Sequence, residues 1–181
     1  SAAQAVCADD NISTDQISDI LSQLVNKSLV VQQATEAAPR YSMLVTIRQY
    51  AHDKLTEIGE VNAVASHQLA YFLKLAEELE PKLHGPTQAE ALDCMEFEQD
   101  NFRAALRWGL EHDKESGVLL AGTLWLFWFM HAHFMEARQW YEEALAIREN
   151  VSAHTRMRLL IGAASNVFGQ GDHEKTVLYS E

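Results

Sequence analysis

Proline and glycine are scarce, with three and eight residues among 181. So few breakers exclude a loop-rich or hairpin-rich all-β chain. Cysteine occurs only at Cys7 and Cys94, which excludes a disulfide framework and fits a reducing, cytoplasmic setting. Basic residues are outnumbered, fourteen Lys and Arg against twenty-six Asp and Glu, for a net charge of −12. Phosphate binding needs clustered bases, so direct nucleic-acid binding is disfavoured, as is binding to anionic membranes. The start, Ser1 to Ala5, has neither a basic segment nor an apolar one, which excludes a signal peptide there. The catalytic signatures Gly-x-x-x-x-Gly-Lys-Ser/Thr, Gly-x-Ser-x-Gly and His-Glu-x-x-His are all missing. The chain is therefore read as non-enzymatic, with no catalytic, cofactor-binding or metal-binding residue assigned.

Apolar residues make up 48% of the chain and charged residues 22%. That is a globular balance, and a chain of this length buries a sizeable core without metal or disulfide staples. One stretch, Ser116 to Met135, has no Asp, Glu, Lys or Arg. It is interrupted by Gly117, Gly122, Thr123, His131 and His133, so it reads as a buried helix ending in a turn near Ala132–His133, and not as a membrane span.

The remaining chain is read mostly with helical period. Ser13 and Gln16 fit a capping box, followed by an apolar stripe of Ile17, Ile20, Leu21, Leu24 and Val25. Leu29–Val31 and Arg40–Leu44 read as two short strands around a polar loop, 35–39. Thr46 is placed to cap the next helix, whose apolar positions are Ile47, Ala51, Leu55 and Ile58, and Gly59 stands where a helix-ending glycine belongs. Helix, hairpin, helix outlines part of a winged-helix domain over residues 1–60, with its first helix missing or only grazed by Gln4 to Ala8, so the chain is expected to begin inside a domain.

Residues 61–181 read as helical repeats, cut at the C-terminus. Ala65, Leu69, Phe72, Leu73, Ala76 and Leu79 form one face, and Leu92, Met95, Phe102, Leu106 and Leu110 the next. The acidic side formed by Glu90, Asp93, Glu96, Glu98 and Asp100 reads as solvated. Further helices are expected at 117–131, 134–149, 153–169 and 172–181. With Ala137 placed on a small-residue position of the tetratricopeptide pattern, Ala144, Tyr141, Leu124 and Trp128 fall on its small, aromatic and large positions. Trp125 falls where a small residue is normal. Ala163, Ala164 and Val167 fit the next unit, in which Thr176 replaces alanine.

The segments Asp19–Val31, Pro39–Ala51 and Asp100–Trp108 resemble those of bacterial STAND-class signalling ATPases, relatives of the NB-ARC and AP-ATPase proteins, many of them transcriptional regulators. That resemblance implies a P-loop ATPase core upstream, which would bind ATP or ADP, then a winged helix packed on it, then tetratricopeptide-like repeats that sense a partner. Two departures limit it. The phosphate-cradling loop is missing from this chain, and Met43-Leu44-Val45 stands where relatives often carry a nucleotide-sensing Met-His-Asp.

The expected fold is thus mostly α: a partial winged helix with a short β-hairpin, followed by a tetratricopeptide-like array of α-hairpins. The expected function is regulatory protein–protein interaction and sensing within a larger signal-transduction ATPase, or alternatively DNA binding through the winged helix. Residues 1–60 carry four bases and eight acids, a net of −4, and helix 15–25 has Asp15 and Asp19 but no base, which disfavours the alternative. In the repeat register, Leu126, Phe129, Met130, Arg158, Ser165 and Phe168 face a concave groove that suits a protein or peptide partner, whereas Trp125, Trp128, Tyr141 and Ala144 are assigned to the core. His131, His133 and His154 are the one group that hints at metal. Histidines two apart on a helix diverge, so no site is assigned to them.

Overall fold

The structure is a computed structural model that describes residues 2–8, 12–33, 39–147 and 150–170. It is mostly helical, with one two-stranded antiparallel hairpin. The chain divides into two compact units, Ser1–His67 and Gln68–Glu181.

The first unit contains α1 (Ala2–Cys7), α2 (Thr14–Asn26), β1 (Val31–Gln33), β2 (Arg40–Ser42) and α3 (Val45–Ile58). The start of α2 is set by its capping box. Ser13 Oγ accepts from the Gln16 backbone N–H at 3.4 Å, and Gln16 Oε1 accepts from the Ser13 N–H at 2.8 Å. Gln4 donates to Ser18 Oγ at 2.9 Å, joining α1 to α2. The strands pair Val31 with Ser42, Gln32 with Tyr41 and Gln33 with Arg40. They are shorter than the sequence suggests, because Leu29 and Val30 are taken up by the turn that closes α2, where both backbone N–H groups donate to Leu24 O. Expected strand residues Met43 and Leu44 lie beyond the hairpin. Gly59 ends α3 in the left-handed region at φ +77°, as its position predicts. Thr46 does not cap α3: the helix begins one residue earlier, at Val45, and its cap residue Leu44 has no side chain that accepts a hydrogen bond.

The unit boundary falls within α4 (Val61–Leu79), and then come a 3-10 turn (Glu80–His84), α5 (Gln88–Phe97), α6 (Gln99–His112), α7 (Lys114–Thr123), α8 (Trp125–Met130), α9 (Phe134–Ala146) and α10 (Ala153–Gly169). The expected helix 117–131 is thus two helices meeting at Leu124. The helix expected at 172–181 lies outside the described residues. No described helix is long and apolar enough to cross a membrane.

The second unit is organised around α7, which packs against α6 on one side and α10 on the other. Its uncharged stretch is explained by that burial: Gly117, Val118, Leu120, Ala121, Gly122 and Thr123 are all buried. At the α6–α7 crossing the backbones touch. A Cβ on Gly117 would lie 2.5 Å from the Gly109 carbonyl carbon, and one on Gly109 would lie 2.8 Å from Gly117 Cα. On the other side a Cβ on Gly122 would sit 3.0 Å from the Leu159 backbone nitrogen. Leu69, Phe72, Met95, Phe102, Leu106, Leu120 and Leu124 form the adjoining core, with Phe72 and Phe102 edge to face at 5.6 Å.

Two carboxylates fasten elements across this unit. Glu115, in the first turn of α7, accepts from the Ser152 backbone N–H at 2.7 Å, from Ser152 Oγ at 2.8 Å and from Thr155 Oγ1 at 2.7 Å, anchoring the start of α10. Glu136 of α9 takes a two-pronged contact from Arg103 of α6, at 2.6 and 2.7 Å. Donated hydrogen bonds hold both carboxyls below the usual carboxylate range, from Thr155 and Ser152 in one case and chiefly from Arg103 in the other.

Gly117→Ala forces backbone apart from backbone, where no flexible side chain can yield, and is expected to cost about 2–3 kcal/mol in urea unfolding; a cost below about 0.5 kcal/mol excludes the close approach. Glu115 and Glu136 have depressed folded-state pKa values, so their stabilisation is full above the ordinary carboxylate value of 4.5 and is lost as pH falls below it. The melting temperature should drop on acidification below that value, and Glu115→Gln combined with Glu136→Gln should flatten that part of the curve.

Candidate functional site

Two surfaces bear on function. The first is α2 with the hairpin. Asp15, Gln16, Ser18, Asp19, Ile20, Ser22 and Gln23 of α2 are exposed, so this surface is acidic, polar and apolar, with no base on the helix. An Asp in the first turn suits the helix dipole but repels a phosphate. Around the hairpin and α3 the exposed large residues include Val31, Met43, Leu44, Val45 and Tyr50.

The second surface is a groove between α8 and α10. Its volume is about 270 Å³, and it is lined by Trp125, Phe129, Ala164, Ser165 and Phe168. Phe168 is 59% exposed and Phe129 37%. Met130, at the end of α8, is exposed outside the lining. Ser165 lines the groove while its hydroxyl donates to Ile161 O at 2.8 Å.

Besides Met130, two residues assigned to this groove from sequence belong elsewhere. Leu126 is buried, because the break at Leu124 turns it into the core between helices. Arg158 turns to an acid: its Nη2 meets Glu80 at 2.5 Å, in the 3-10 turn after α4, and Thr123 Oγ1 at 3.3 Å. Trp125, assigned to the core, is instead half-buried at the groove, and its indole N–H donates to the same Glu80 at 3.3 Å. Trp128, Tyr141 and Ala144 are buried, with the two rings edge to face at 5.5 Å. Burial pushes the Tyr141 phenol up from its ordinary pKa. Ala164 is placed by sequence only at a repeat position and not at the groove, and Glu80 is not singled out at all. Glu80 is 78 residues from Arg158, and no local signal connects them.

A third arrangement was not expected. His131 and His133 lie on either side of the α8–α9 turn and both reach Glu96 of α5. His154 is exposed at the start of α10 and stands outside this group. Residues two apart diverge inside a helix, and these two histidines lie outside one.

Comparison with known proteins places the first surface. Residues 2–56 match the model of the winged helix-turn-helix domain. Over 145 residues the chain is 35% identical to proteins of Mycobacterium bovis and of two strains of Mycobacterium tuberculosis, which carry the provisional name HTH-type transcriptional regulator. The aligned part is 80% of this chain and 16% of each relative, so the chain spans about a sixth of their length. No solved structure matches the chain. The matched segment spans α1, α2, the hairpin and most of α3.

The groove assignments are separable by substitution. Leu126→Ala should cost about 2–5 kcal/mol as a core truncation, while Phe168→Ser should change stability by less than about 0.5 kcal/mol. Urea denaturation of the two variants checks both, and equal costs would place Phe168 in the core.

Proposed function

We propose that this chain is the winged-helix and adjoining helical segment of a bacterial transcriptional regulator. The observation that carries this reading is the match of residues 2–56 to the winged helix-turn-helix domain, on the element order α1, α2, hairpin, α3. The names of the mycobacterial relatives point the same way.

In this reading the second unit is a tetratricopeptide-like receiver. Small residues at close approaches, aromatic plugs such as Tyr141 and Trp128, and a partly apolar groove suit a protein or peptide partner. The winged unit transmits the signal. A partner that binds one arrangement of the protein more tightly than another shifts the population toward it. The finer form of the proposal places the chain in a STAND-type signalling ATPase, whose nucleotide site would lie in another part of the parent protein. The winged unit then packs on that core and works as a hinge.

The second reading is direct DNA recognition by α2 and the hairpin, and it is favoured by the domain match itself. The charge of α2 weighs against it, since phosphate contacts supply most of the affinity of such modules. Both readings keep the regulator role and differ in whether the winged unit itself touches DNA.

Chromatin immunoprecipitation of the parent protein tests the role, and enrichment at discrete promoters is expected; uniform background would remove it. A gel shift of the 181-residue chain at low salt then separates the readings. No retardation is expected from the acidic α2, whereas sequence-specific, salt-sensitive retardation assigns DNA recognition to the winged unit.

A further inference from the structure

We propose that Glu96, His131 and His133 form a binding site for a divalent transition-metal ion of the zinc class, which fastens the α8–α9 turn to the end of α5. The inference is independent of the regulator reading and lies wholly within the second unit.

The donors are of the right kind and number. Two imidazoles and one carboxylate make a three-ligand set that zinc accepts, with a fourth position left for water. Glu96 Oε2 is 3.3 Å from His131 Nδ1 and 3.1 Å from His133 Nε2. The three donor atoms lie within 4.8 Å of one another. Bonds of about 2.0–2.1 Å in tetrahedral geometry place neighbouring ligand atoms about 3.3 Å apart. The two carboxylate–imidazole separations already match such edges, so only small movements bring all three donors onto one ion.

The backbone prearranges the pair. Between the histidines, Ala132 adopts φ +56°, a left-handed conformation rare for a residue with a Cβ. The turn is closed by hydrogen bonds from His131 N to Phe127 O at 3.0 Å and from His133 N to Trp128 O at 2.9 Å. This reversal brings two side chains that would diverge along a helix to the same carboxylate. Their rings stack at 5.7 Å with planes 17° apart. The buried Phe127 ring stands 5.2 Å from one and 5.7 Å from the other, an apolar wall that limits their rotation. Ligands held in place in advance lose less freedom on binding.

The surroundings favour a cation. The chain carries −12 overall, and Glu96 is a carboxylate on the acidic side of α5. The nearby Glu136 is held by Arg103 and stays out of the ligand set. Each histidine side chain is 28% exposed and Glu96 43%, enough for an ion to enter from solvent. Without metal, the same three groups form a hydrogen-bonded cluster, and the experiment must separate the two.

The full 181-residue chain, free of any affinity tag and stripped with chelator, is titrated calorimetrically with zinc chloride. One saturable equivalent is expected, together with a rise in melting temperature of about 5 °C at a hundredfold excess over Kd. Co2+ in place of zinc should give the visible absorption bands of a tetrahedral ion. His133→Ala and Glu96→Gln should each weaken binding by at least about tenfold, and His154→Ala should leave it unchanged. Circular dichroism confirms that each variant is folded. Absence of saturable binding by the wild-type chain overturns the proposal in favour of the hydrogen-bonded cluster. Binding that survives both His131→Ala and His133→Ala overturns it equally.

Discussion

The second unit depends on one close approach, the contact of the α6 and α7 backbones at Gly109 and Gly117. No side chain stands between the helices there, so their separation is fixed by backbone against backbone. That fixes the depth at which α7 sits. Its other face then meets α10 at Gly122, with Leu159 and Arg158 against it. A larger residue at either contact would move a central helix, and close-packed interiors pass such shifts on to their neighbours. The long stretch without charge follows from this position. A helix with neighbours on two sides has little solvent face on which to carry Lys or Glu.

Polar fasteners act at the ends of the packed helices, where apolar contact thins out. Glu115 satisfies the Ser152 N–H and two hydroxyls at the start of α10, and Arg103–Glu136 spans α6 and α9. Glu80 receives both Arg158 and the Trp125 indole. Each of these carboxylates joins residues more than thirty positions apart. They therefore secure tertiary placement and not helix formation, which local caps such as Ser13 and Ser152 already supply.

What was legible in the sequence was local or periodic. The Ser13–Gln16 box, Gly59, the hairpin and the apolar faces of α4 to α6 could be read because each signal lies within a few residues of its consequence. So could the small and aromatic positions of α9, which are buried as expected. The groove was only partly legible: Phe129, Ser165 and Phe168 line it, while Leu126, Met130 and Arg158 do not. A break at Leu124 shifts the facing of everything after it, and a distant acid, Glu80, captures the arginine. Neither leaves a mark in helical periodicity. The turn near Ala132–His133 is legible, but the left-handed backbone at Ala132 is not. Glycine or asparagine would have announced a left-handed residue, and alanine does not.

The two units differ in the chemistry they display. The first unit is defined by a domain pattern and displays an acidic helix with apolar residues around its hairpin and α3. Its fold is one that DNA-binding modules share, although α2 itself carries no base. The second unit holds a strained backbone residue beside convergent imidazoles and a carboxylate. Strain of this kind persists only where surrounding contacts enforce it; here the hydrogen bonds to Phe127 and Trp128 do so. A glycine would relieve the strain but would leave the two imidazoles freer to separate. Alanine at this turn keeps them together beside one carboxylate, so the local cost lies where the side chains converge.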